Sequence, residues 1–106
     1  MLDQKGVRNV RRYYLVCYDI LDEKRLHKMH KLMQGYGDPL QFSIFRCALS
    51  EQEKALMMSD IIDVIHLRED RVMIVDLGSL EHAGGGQIEF IGKALSDPEL
   101  PDSLIV

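Results

Sequence analysis

Asp19 is the residue of this chain best placed to do chemistry. It sits near the end of the run Tyr14-Leu15-Val16-Cys17-Tyr18-Asp19-Ile20, whose apolar and aromatic residues read as a core strand. A carboxylate at the end of such a strand must be solvated, paired or bound to a metal, because burying it alone is costly. Four cations follow closely at Lys24, Arg25, Lys28 and Lys31, and they offer either an anion-binding surface or a solvated helix face. His27 and His30 lie three apart on the same segment. No third ligand at matching spacing accompanies them, so they read as solvated helix histidines. Asp76 and Glu89 are further carboxylates on strand-like segments, with weak grounds for joining a metal site. Cys17 and Cys47 each fall inside a strand-like run; they read as buried reduced thiols, and no zinc-ligand spacing is present.

A chain of 106 residues is one domain by size, and small enough that oligomerisation is plausible from the start. No stretch approaches the roughly 20 apolar residues of a membrane span, and the polar start of the chain lacks the apolar core of a secretory signal. No membrane association and a cytoplasmic location are the resulting expectations. The net charge of −4 is unevenly spread, with +4 over residues 1–36 and −8 over the remainder. That distribution permits local anion binding and disfavours strong, indiscriminate attachment to nucleic acid.

The elements that must position Asp19 are legible in order. After a strand over about Arg12 to Ile20, Asp22 can cap a helix with Glu23 in its first turn, both suited to the positive end of the dipole. Leu26, Met29, Leu32, Met33 and Tyr36 fall at helical spacing and predict a helix over Glu23 to Gln34 that faces a sheet. Gly35 and Gly37 supply its stop by taking positive φ. Leu40 to Leu49 is too long for one average strand, and a bend near Phe45 or Arg46 is expected to divide it. Ser50 and Glu53 form a capping box that opens a helix over about Glu51 to His66. Its packing stripe is Ala55, Met58, Ile62 and Ile65, broadened by Ile61 and Val64. Arg71 to Leu77 reads as a central strand, Gly84 to Gly86 as a hinge, and Ile88 to Ile91 as a further short strand.

This order is a βαββαβ arrangement, an α+β ferredoxin-like fold with both helices on one face of an antiparallel sheet. The expected division is a single domain over residues 1–93, with residues 1–11 a flexible N-terminus and 94–106 a tail. The extra strand at Ile88 to Ile91 has no place in a four-stranded sheet. It is expected to cross over and pair with the sheet of a second copy, giving a homodimer.

The residues then carry a resemblance. Tyr18-Asp19-Ile20, Lys24-Arg25 with Lys28 and Leu32, Tyr36-Gly37, and Gln41-Phe42-Ser43-Ile44-Phe45 together resemble the CRISPR-associated Cas-two family of antiviral defence. The likeness is closest over Arg12 to Leu49 and looser through the second helix, the strand from Arg71 and the segment Ile88 to Gly92. The resemblance implies a ferredoxin-like homodimer that takes part in spacer acquisition with the Cas-one integrase. It also implies an Mg²⁺-dependent endonuclease, with Mn²⁺ an alternative ion, that hydrolyses RNA (as an endoribonuclease) or double-stranded DNA. On that resemblance the catalytic and metal-binding carboxylate is Asp19, the basic helix position is Arg25, and the serine and aromatic are Ser43 and Phe45, with Tyr18 beside them.

Two departures stand out: Leu26 and His27 occupy positions where many relatives have a second arginine, and Arg46 follows Phe45 where acidic residues are common. One carboxylate per chain is thin for a metal site. Two Asp19 side chains meeting at a dimer axis would supply a pair. The alternatives are a non-catalytic scaffold that holds DNA backbone through Lys24, Arg25, Lys28 and Lys31, and a regulatory ligand-binding domain on the same superfold.

Overall fold

The computed structural model describes residues 10–79 and 88–92. The elements are β1 (Arg12–Asp19), α1 (Glu23–Gln34), β2 (Asp38–Gln41), β3 (Ile44–Leu49), α2 (Glu51–Val64) and β4 (Arg71–Ser79). They build one antiparallel sheet in the order β2-β3-β1-β4, with β1 between β3 and β4. The βαββαβ ferredoxin-like expectation holds. Residues 1–9 of the N-terminus expected to be flexible over 1–11, the glycine hinge and the tail from 94 lie outside the described residues.

Strand alternation divides the sheet into two faces. Tyr14, Val16 and Tyr18 of β1 point to the helix side with Phe45, Cys47 and Leu49 of β3, where Met29 and Met33 of α1 and Met57 and Ile61 of α2 complete the core. Leu15, Cys17 and Asp19 share the opposite, open face with their register partners Arg46 and Ile44 on β3 and Val75, Met73 and Arg71 on β4. The two cysteines are therefore on opposite sides of the sheet and both are free. Burial pushes the Cys47 thiol up to about 11.

Both helix starts follow their local chemistry. Asp22 accepts the Arg25 backbone N–H at 2.9 Å. Ser50 Oγ accepts from the Glu53 N–H at 3.2 Å, and Glu53 Oε1 accepts from the Ser50 N–H at 2.9 Å. Arg11, ahead of β1, donates to Glu53 at 2.6 Å and to the Ala48 carbonyl at 2.9 Å, so the chain is tied down before the first strand begins.

Three details differ from the sequence reading. The division of the 40–49 run falls at Phe42 and Ser43, not near Phe45, and it is a hairpin turn; β2 begins at Asp38 and takes in Pro39. An edge strand tolerates that proline because it owes fewer ladder hydrogen bonds. Gly35 has φ of −82°, and Gly37 is not among the positive-φ glycines. Gly37 is required by close approach instead, since a Cβ there would fall on the Arg46 carbonyl and on Cys47 Sγ. The buried stripe of α2 is Met57 and Ile61, while Met58 and Ile62 are exposed; the helix ends at Val64 and is rolled so that Met58 and Ile62 line a groove with Val72 and Ile74 of β4. Ile88 to Ile91 form no strand within the single chain, and Phe90 and Ile91 are exposed.

Candidate functional site

Asp19 is the last residue of β1, exposed and on the open face. Its carboxylate accepts no hydrogen bond and makes no ion pair among the described residues, although Arg71 stands opposite it in the register. Of the three fates open to an acid at a strand end, solvation is the one seen in the single chain. Around it, among the described residues, no layer covers the apolar side chains of the open face: Leu15, Cys17 and Ile44 are partly exposed, and Met73 and Val75 are exposed.

The turn after Asp19 is held by a residue that local sequence patterns do not single out. Asp70 has a side chain with no exposure. Its Oδ1 accepts from the Leu21 backbone N–H at 3.1 Å, and its Oδ2 accepts from the His66 backbone N–H at 2.8 Å. Arg25 completes the arrangement, donating from Nε to Asp70 Oδ2 at 2.8 Å and from Nη2 to Asp70 Oδ1 and Glu69 Oε1, each at 3.1 Å. Such a planar fork suits a bidentate carboxylate. The Arg25 guanidinium and the two backbone amides hold the Asp70 carboxyl well below the usual carboxylate range. Nothing local marks Asp70 as a clamp, because its side-chain and Leu21 partners are 45 and 49 residues away.

Arg25 is thus committed through Nε and Nη2, and Nη1 is the nitrogen with no such contact. Lys24, Lys28 and Lys31 are exposed on α1 and form no ion pair among the described residues. At spacings of four and three they share one side of the helix.

The remaining residues named from sequence are on the helix side or in the hairpin. Phe45 is fully buried, so its ring packs in the core and offers no face to a base. Ser43 lies in the β2–β3 turn and takes part through its carbonyl, which accepts from the Tyr18 N–H at 3.1 Å. Tyr18 is buried, with its hydroxyl 3.3 Å from His30 Nδ1. Burial raises the Tyr18 hydroxyl to about 12. His30 is not the solvated helix histidine expected. It packs edge-on to Phe45 with ring centroids 5.4 Å apart, and burial together with His27 lowers its pKa. Asp76 is taken by Arg12, whose Nε donates to both carboxylate oxygens; it pairs opposite Tyr14, well along β4 from Arg71.

As a metal centre, one chain offers the Asp19 carboxylate. No group of three or more His, Cys, Asp or Glu side chains converges among the described residues. Mg²⁺ is compatible with such a sparse donor set, since it keeps several waters and takes one or two carboxylates together with substrate phosphates. Among the described residues, no helix is long and apolar enough to cross a membrane.

The chain is similar to known proteins in sequence and in fold. A relative from Geobacter sulfurreducens named CRISPR-associated endoribonuclease Cas2 is 37% identical over 93 residues, covering 88% of this chain and 96% of its own. One from Thermodesulfovibrio yellowstonii named CRISPR-associated endoribonuclease Cas2 2 is 45% identical over 64 residues, covering 60% of this chain and 70% of its own. Among solved structures, Streptococcus pyogenes Cas2 at pH 6.5 superimposes with a TM-score of 0.62 at 25% identity, over 76% of this chain and 99% of that one. A hypothetical protein, TT1823 from Thermus thermophilus, gives 0.68 at 30% identity, over 79% and 94%. The sequence profile described as CRISPR associated protein Cas2 matches residues 12–82, a span that takes in all six elements and Asp19, and on this basis the chain belongs to the Cas2 family.

Proposed function

We propose that the protein is a homodimeric, metal-dependent endonuclease of CRISPR spacer acquisition, in which two Asp19 carboxylates share one Mg²⁺ or Mn²⁺ ion. The observation that carries this reading is the free Asp19 carboxylate at the rim of an uncovered apolar sheet face. A cluster of partly exposed Leu15, Cys17 and Ile44 with exposed Met73 and Val75 calls for a covering layer. A second copy packed face to face would bring two Asp19 residues toward one edge, with Ile88 to Ile91 free to pair across the dimer. A divalent ion held there supplies charge neutralisation at a phosphoryl oxygen and an activated water. Lys24, Lys28 and Lys31, with Nη1 of Arg25, hold the phosphate backbone of RNA or double-stranded DNA. The names of the relatives as endoribonucleases support the phosphodiester chemistry, and family membership supports the Cas-one integrase as a partner.

Cleavage of RNA and duplex DNA by the wild type and Asp19→Ala, each with Mg²⁺, Mn²⁺ and EDTA, tests the reading. Metal-dependent cleavage is expected to fall at least about a hundredfold in the variant, the scale of losing a group that stabilises transition-state charge. The melting temperature is expected to stay unchanged because Asp19 is exposed and unbonded. Equal cleavage, or equal Mn²⁺ affinity, in both proteins would overturn it.

A scaffold role within the integration complex is the second reading, favoured by the single carboxylate per chain. It predicts DNA binding and spacer integration that survive Asp19→Ala. Both readings need the dimer. Met73→Asp, which places a charge on the open face opposite Cys17, is expected to shift the protein to monomer in sedimentation; an intact dimer would locate the interface elsewhere.

A further inference from the structure

The helix side of the sheet carries a cavity of about 210 Å³ lined by Tyr18, Glu23, Leu26, His27, His30 and Phe42. It lies between the first turns of α1 and the β2–β3 hairpin, both of which meet the C-terminal end of β1. The Tyr18 N–H bonded to the Ser43 carbonyl fixes the hairpin there. Tyr18 and Asp19 are consecutive on opposite faces of the sheet, so the end of β1 presents a free carboxylate on one side and this cavity on the other.

Three properties of the lining specify an occupant. The volume is below the ~300 Å³ at which drug-sized sites begin, which suits one flat ring system. Phe42 is an aromatic side chain 47% exposed in a turn at the edge of the cavity, and its ring offers a stacking surface. Glu23 and His27 make no hydrogen bond among the described residues, so the apolar walls of Leu26, Tyr18 and Phe42 are edged by an acceptor-only carboxylate and an imidazole. A phosphate is disfavoured by Glu23. A base bearing an exocyclic amino group meets both the ring and the carboxylate.

We propose that this cavity binds one unstacked nucleobase of a single-stranded nucleic acid, with Phe42 stacking on the base and Glu23 accepting from its amino group. The inference rests on the reading of the protein as one that binds nucleic acid, and it names the part of the substrate that the lysines and Asp19 do not touch. Stacking on an aromatic side chain tolerates every base, whereas Glu23 introduces a preference for adenine, guanine or cytosine over uracil.

Adenosine monophosphate titrated into the full chain in EDTA and followed by NMR reads the cavity without metal and without the rest of a strand. Shifts are expected at Phe42, His27 and Leu26, and they are expected to vanish in Phe42→Ala. Short single-stranded oligoadenylate is expected to bind about tenfold less tightly to Phe42→Ala, and an abasic strand of equal length equally to both proteins. Glu23→Gln is expected to narrow the difference between oligoadenylate and oligouridylate. Absence of shifts in the cavity overturns the proposal, even if long strands bind through the lysines. So does a Phe42→Ala loss that is as large on the abasic strand, which would make Phe42 a backbone or folding contact, or an occupant that proves to be a partner protein's side chain. Loss of metal-dependent cleavage in Asp19→Ala bears on the nuclease reading alone, so the two can fail separately.

Discussion

Phe45→Ala is expected to destabilise the fold by about 3–5 kcal/mol, the range for removing a large aromatic side chain from a closed core. Its ring has no solvent exposure. It lies against the Tyr18 ring, with centroids 6.3 Å apart, and against the edge of His30 at 5.4 Å. These contacts join the central strand, its neighbour and α1, so the void cannot collapse without moving the elements that frame the end of β1. For a domain of this size the loss corresponds to a fall in Tm of at least about 12 °C, and it takes up much of the ~5–15 kcal/mol that holds a typical domain together. Thermal unfolding followed by circular dichroism measures it. Phe45→Leu, which keeps most of the volume, is expected to recover more than half of the loss. A variant that keeps its Tm and loses nucleic-acid binding instead would mean that the ring stacks on bases, contrary to its burial.

Asp70→Asn is the second substitution expected to act strongly, and its effect has a pH signature. The amide removes the charge that faces Arg25 and leaves one oxygen to replace two in a site that receives four N–H donors, so a Tm lower by several degrees at neutral pH is expected. The native carboxyl has a pKa depressed below its ordinary value of 3.8. Its stabilisation is therefore fully present above that value and lost as pH falls toward the native pKa, because the unfolded chain takes up the proton first. The Tm difference between wild type and Asp70→Asn is expected to be constant from pH 7 to about 5 and to shrink below about 4. His30, whose lowered pKa also makes the native state less stable as pH drops through its ordinary 6.5, is common to both proteins and cancels in the difference. A difference that grows toward acid pH would refute the clamp. Arg25→Ala is expected to reproduce the neutral-pH loss, because it strands the same buried carboxylate.

The clamp also sharpens what the basic helix can do. Lys24, Lys28 and Lys31 are free in a way that Arg25 is not, so removing any one lysine is a change in surface charge, while removing Arg25 loosens the turn that follows Asp19. Activity lost in Arg25→Ala therefore combines two effects, and melting data are needed beside it to assign the loss.

Local chemistry made much of this protein legible in its sequence. Asp22 and the Ser50–Glu53 box announce the starts of both helices because capping is settled within four residues. The apolar and aromatic run from Tyr14 to Ile20 announces β1, and the spacing of Met29 and Met33 announces the inward side of α1. The motif from Tyr18 to Phe45, read together, identified the family and with it the fold. Where an apolar run offered two stripes, as in α2 with Met57 and Ile61 against Met58 and Ile62, periodicity could not choose, since the roll of a helix is set by what it packs on. The same limit moved the strand division to Phe42 and Ser43, which depends on register with β1, and changed the reason for Gly37 from dihedral freedom to contact with β3.

The sequence by itself determined which elements form, their order and the placing of Asp19 at the end of the central strand, because these follow from patterns a few residues long. Only the tertiary structure decided that, among the described residues, Asp19 stands free on an uncovered face, that Arg25 is bound by Asp70 and Glu69, that Phe45 is core and that Phe42 borders a cavity. Each of those depends on residues that are far apart in the chain and meet only when the sheet and helices close on one another.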